Sequence, residues 1–136
     1  MGTWAIDAFG NDIALDWAED LQESKDLYFI ENTLNNVLSA DSAAYLEAPF
    51  AAEGLAAIEV LARLQGQPGE AEEGIDAWVD EVRAKFKRRP DLVEKAQRAI
   101  DHILSDKSEL RELWADGDDY DSWRAAVEAL RTRVSA

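Results

Sequence analysis

Carboxylates dominate the side chains of this sequence that could do chemistry. Asp12/Asp16, Asp16/Glu19, Asp16/Asp20, Glu19/Glu23, Glu70/Glu73, Asp76/Asp80 and Glu109/Glu112 stand three or four residues apart, a spacing that puts both acids on one face of a helix. Magnesium accepts such pairs together with substrate phosphates. A metal-dependent nucleotide hydrolase built on helical carboxylate pairs is therefore one reading. Its weight is small, because 29 acids in 136 residues produce these pairs by chance. Glu70/Glu73 also falls in a Gly/Pro segment, where a rigid site is hard to hold.

Other catalytic chemistries lack their parts. With no cysteine there is no thiolate nucleophile, thiolate zinc site or disulfide. The single histidine, His102, has Arg98 and Asp106 as its neighbours across helical turns and is expected on the charged, solvated side of its helix. A bundle-type carboxylate metal site wants Glu three residues before the histidine, and that position is Ala99. The run Asp116, Asp118, Asp119, Asp121 fails as a calcium loop at Tyr120, Asp121 and Val127, and reads better as a turn capping a helix. No glycine-rich phosphate loop is present. The expectation is a non-enzymatic protein with no catalytic residue, no metal and no cofactor.

Aromatic residues are more informative. Five tryptophans are many for a chain of 136 residues. Trp4 and Phe9 stand before the first helical period, on an extended or turning arm, while Trp17 falls on the apolar face of the first helix. Either the two rings of the arm plug the core, or Trp4, Phe9, Asn11, Asp12, Asp16 and Trp17 line a small polar and aromatic pocket for a ligand or partner side chain. The plugging reading is favoured, since two exposed rings would form an apolar patch needing a use.

The elements that must position these residues are helical throughout. Asn11 and Asp12 suit an N-cap, followed by Ile13, Ala14, Trp17, Ala18 and Leu21 at the spacing of one helix face. Ser24 can cap a second helix carrying Leu27, Ile30, Leu34, Val37 and Leu38. Asp41 can open a single turn ended by Pro49. A third helix from Phe50 carries Leu55, Ile58 and Leu61, with Glu59 and Arg63 as an i,i+4 pair. Gln65-Gly-Gln-Pro-Gly69 breaks the chain, and a fourth helix follows with Ile75, Trp78, Val79 and Val82. Pro90 opens a fifth, Ser108 a short sixth, and a last helix carries Trp123, Val127, Leu130 and Val134. No strand pattern appears. The fold expected is all-α, one compact domain over residues 1–136, with six to seven helices and an extended N-terminal arm.

Charge narrows the partners. The formal net charge is −15, from 29 acidic and 14 basic residues, which repels a phosphate backbone and argues against nucleic acid. Residues 1–82 hold 18 acids against Lys25 and Arg63, whereas residues 83–136 are nearly balanced, with 11 acids and 12 bases. The basic run from Arg83 to Arg89 suits a helix C-terminus. No apolar stretch is long enough to span a bilayer, and the N-terminal residues lack a signal-peptide pattern, so the expectation is no membrane and a cytoplasmic location.

Gly2-Thr3-Trp4-Ala5-Ile6-Asp7-Ala8-Phe9-Gly10-Asn11-Asp12-Ile13-Ala14-Leu15-Asp16-Trp17 resembles the opening signature of a bacterial family known as domain of unknown function 4259. Ser108-Glu-Leu-Arg-Glu-Leu-Trp114 and Trp123-Arg-Ala-Ala-Val-Glu-Ala-Leu-Arg131 are similar to its far end. The resemblance implies a small helical cytosolic protein and brings no catalytic residue. The acidity and small size favour a protein-binding module, with a basic protein as partner. An immunity or antitoxin-like inhibitor would be one form, since strong acidity steers association with a basic toxin.

Overall fold

The computed structural model describes residues 11–24, 27–38, 45–67, 73–87 and 89–135. These form seven helices: α1 (Asp12–Gln22), α2 (Tyr28–Leu38), α3 (Ala48–Leu64), α4 (Glu73–Arg83), α5 (Pro90–Ile103), α6 (Glu109–Ala115) and α7 (Tyr120–Ser135). Among the described residues the only pairing of the β type is a single parallel bridge between Leu46 and Ser108. The all-α expectation holds. Trp4, Phe9 and the expected N-terminal arm lie outside the described residues.

Helix α3 organises the rest. Its sequence, APFAAEGLAAIEVLARL, is apolar on nearly every side, the pattern of a helix surrounded by protein rather than lying on a surface. It packs against all six other helices. Alanines and Gly54 let them come close: a Cβ at Gly54 would lie 2.8 Å from Val37 Cγ2 on α2. One buried cluster draws side chains from all seven helices, among them Trp17, Leu34, Ile58, Leu61, Trp78, Ile100 and Trp123.

The helix ends follow local chemistry. Asn11 Oδ1 accepts from Ala14 N at 2.8 Å and caps α1, while Asp12 sits in the first turn, where its charge suits the dipole. Ser108 caps α6 by accepting from Arg111 N, and Pro90 opens α5 as expected. At the end of α3, Gly66 takes a φ of 85° and Gln67 N donates back to Ala62 O at 2.9 Å, the left-handed glycine termination that the Gly/Pro segment foreshadows.

Two expected boundaries are corrected. Helix α2 starts at Tyr28, so Ser24 is not its cap; the Ser24 carbonyl instead accepts from Trp78 Nε1 at 2.6 Å. Pro49 does not end a turn but stands in the first turn of α3, where its missing N–H loses nothing. Among the described residues no helix is long and apolar enough to cross a membrane.

Candidate functional site

Helix α1 and its N-cap carry four of the six residues singled out by sequence, and the structure sends them to different places. Trp17 is 3% exposed. Its ring stacks on Phe29 at 5.3 Å between centroids, and its indole Nε1 donates to Thr33 Oγ1 at 2.8 Å. Thr33 in turn donates to the Phe29 carbonyl. Every functional atom of Trp17 is thus committed to joining α1 to α2. Asn11 is committed to its cap. Asp12 and Asp16 are exposed and point the other way.

That outward side of α1 is dominated by acids. Asp12, Asp16, Glu19, Asp20 and Glu23 are all exposed, and among the described residues none of them contacts a cation. Leu15, 40% exposed, stands three residues after Asp12 and four before Glu19, so helical spacing sets an apolar side chain between acids. The negative field reaches α3, where burial and then the Asp20 carboxylate raise the pKa of Glu53 above its ordinary value. Such a surface can attract and orient a cationic partner. Among the described residues no three His, Asp or Glu side chains gather as a metal site.

A second group of charges gathers on α3. Glu59 and Arg63 form the expected i,i+4 pair, yet both are buried, at 5% and 4% exposure, because α3 has no solvent side from Gly54 to Leu64 on which to put them. Arg133 of α7 grips Glu59 with two hydrogen bonds, Nη1 to Oε2 at 2.7 Å and Nη2 to Oε1 at 2.8 Å, which hold the Arg133 guanidinium above its ordinary pKa. Arg63 also reaches Asp76 of α4. Gln65 Nε2 donates to the Val134 carbonyl at 2.6 Å, and Arg133 to the Gln67 carbonyl. This is a clasp joining α3, α4 and α7.

His102 is likewise corrected. It is buried at 8% exposure rather than solvated. Helix α5 packs against α2, α3 and α7 together, so its buried face is wider than the stripe of Leu92, Ala96, Ile100 and Ile103 and takes in Ala99 and His102.

The chain belongs to the family described as domain of unknown function (DUF4259), whose model matches residues 2–126. No curated protein and no solved structure matches it.

Proposed function

Starting from that family membership, we propose that this chain is a non-enzymatic protein-binding module of the cytoplasm whose partner is a basic protein, met by the outward face of α1. The observation that carries this reading is the contrast within α1 itself. Its inner face is packed and hydrogen-bonded, while its outer face presents Asp12, Asp16, Glu19, Asp20 and Glu23 around Leu15 with no cation in contact among the described residues. Unpaired charge of one sign raises encounter rates with the opposite sign and rejects like-charged partners, and an apolar side chain inside an acidic rim gives the encounter something to bury. Inhibition of a basic toxin, as by an immunity protein or antitoxin, is the form of this function that the acidity fits best.

The test is capture from the native cell, followed by association kinetics with the purified partner. A basic partner is expected, with an on-rate that falls between 50 and 500 mM salt as the Debye length shrinks from about 14 Å to about 4 Å. Recovery of neutral partners only, with on-rates indifferent to salt, would overturn the reading.

A further inference from the structure

Three of the five large apolar side chains exposed among the described residues lie on residues 45–50 and on the helix bonded to them: Tyr45, Phe50 and Leu113. Four hydrogen bonds fix this junction. Leu46 N donates to Lys107 O at 2.7 Å and Glu109 N to Leu46 O at 2.9 Å. Ala48 N donates to Glu109 Oε1 at 2.7 Å, and Tyr45 Oη donates to Glu112 Oε2 at 3.0 Å. Glu109, Glu112 and Leu113 stand at positions i, i+3 and i+4, so they share one side of α6. The hydrogen bonds of Glu109 and Glu112 show that this side meets the segment bearing Tyr45.

Two features separate this corner from ordinary surface. The first is rigidity. Tyr45 is 48% exposed, but its hydroxyl is anchored, so the ring is held in place before any partner arrives, which lowers the entropy lost on binding. The second is charge. Glu112 accepts from the Tyr45 hydroxyl, Glu109 from Ala48 N, and Glu47 lies between the two in the chain. Loss of solvation, the hydrogen bond to Glu112 and the fields of Glu112, Glu109 and Glu47 push the Tyr45 phenol up to about 12. Arg111 of α6 is engaged by α7, its Nε donating to Tyr120 Oη at 3.2 Å. Lys107 is the cation that remains on this segment.

We infer that Tyr45 and Leu113, flanked by Phe50 and rimmed by Glu47, Glu109 and Glu112, form a docking site for a cationic amphipathic helix, the apolar side of which covers the two side chains while its lysines or arginines meet the carboxylates. Tyrosine at the centre of such a patch is a common energetic anchor, and a helix with apolar residues at i, i+3 and i+4 fits a two-point apolar contact. The site goes beyond the α1 reading while resting on the same basic-partner expectation: it is a second surface, made by α6, the segment before α3 and the first turn of α3.

The test is titration of the full isotope-labelled chain with a synthetic amphipathic peptide carrying leucines on one face and lysines on the other, followed by amide chemical shifts. Control peptides replace the leucines by serine or the lysines by glutamine. The expected result is that shifts concentrate at Tyr45, Phe50 and Leu113, that both controls bind more weakly, and that Tyr45→Ala or Leu113→Ser weakens the parent peptide about tenfold. Both side chains are exposed, and an unchanged amide spectrum of each variant confirms folding. Shifts centred on Asp12, Leu15 and Asp16 would overturn this site while leaving the α1 reading intact. Equal binding of the serine control, spread over all acidic residues, would also overturn it. A native partner that proves neutral would instead sink the basic-partner reading, whatever the peptide does.

Discussion

Helices α1 and α3 handle charge in opposite ways. On α3, Glu59 and Arg63 are buried and each has several partners, with Arg133 and Asp76 brought in from α7 and α4. On α1, five acids stand in solvent with no cation in contact among the described residues. Buried charges must be paired because the desolvation they suffer is large, and their removal one at a time leaves a partner stranded. Exposed charges feel water instead, and their pairing is worth little. The same residue types therefore serve folding in one helix and are free to serve recognition in the other.

The sharpest way to break this contrast is Glu59→Ala. It strands Arg133, now without its two charge-assisted hydrogen bonds, and halves the pairing of Arg63. The expected loss is about 3–5 kcal/mol, read from the urea midpoint at unchanged slope. A loss below about 1 kcal/mol would show that the clasp is solvated and that α3 differs from α1 only in degree. Gly54→Ala tests the same central helix through packing. The added methyl meets Val37 Cγ2, and overpacking of this kind costs about 1–3 kcal/mol. Adding Val37→Ala should recover part of that loss, so the two effects should not sum.

Smaller effects are expected on α1. Asn11→Ala removes the cap and should destabilise by about 1 kcal/mol. Asp12→Ala should lose less, since it contributes only through the helix dipole, about 0.3–1 kcal/mol. A reversed order would move the cap to Asp12. Glu53 supplies a pH signature. Its pKa is raised on folding by burial and by Asp20, so the folded state holds its proton to higher pH than the unfolded chain does. Its contribution therefore favours folding at low pH and is lost as pH rises from the ordinary carboxylate value through the raised one. In Glu53→Gln that part of the slope should disappear from the stability–pH curve.

Helix types and most helix starts were legible because they depend on neighbours in sequence. Asn11, Pro90, Ser108 and the Gly66 termination act within a few residues of themselves, and the apolar stripes of α1, α5 and α7 need only a period. What was not legible depends on how many helices surround a given one. The pair Glu59/Arg63 carries the same local pattern whether its helix lies on a surface or at the centre, and His102 gives no sign by itself that α5 is covered by three neighbours. The candidate site divides in the same way. The sequence groups Asn11, Asp12, Asp16 and Trp17 as one pocket, but the structure commits Asn11 to a cap and Trp17 to the core, and leaves Asp12 and Asp16 exposed. Tyr45 and Leu113 went unnoticed, since only the contact between α6 and the segment before α3 brings them to one surface.

The smallest stability effect and the most decisive functional one should coincide in the double variant Asp16→Asn/Glu19→Gln. Both side chains are exposed and without a cation in contact among the described residues, so their removal should leave stability within about 0.5 kcal/mol. Relief of like-charge repulsion across one helical turn acts in the stabilising direction, by about 0.2–0.5 kcal/mol. Steering behaves differently, because it depends on summed charge rather than on contacts. Association with a basic partner should slow severalfold at low salt, with little change in the dissociation rate, and the difference from the unaltered chain should vanish near 500 mM salt. A variant that unfolds more easily would place these acids among the residues that fold α1. A variant as stable and as fast to associate as the unaltered chain would leave its acidity with solubility alone, and would move recognition to another face of the molecule.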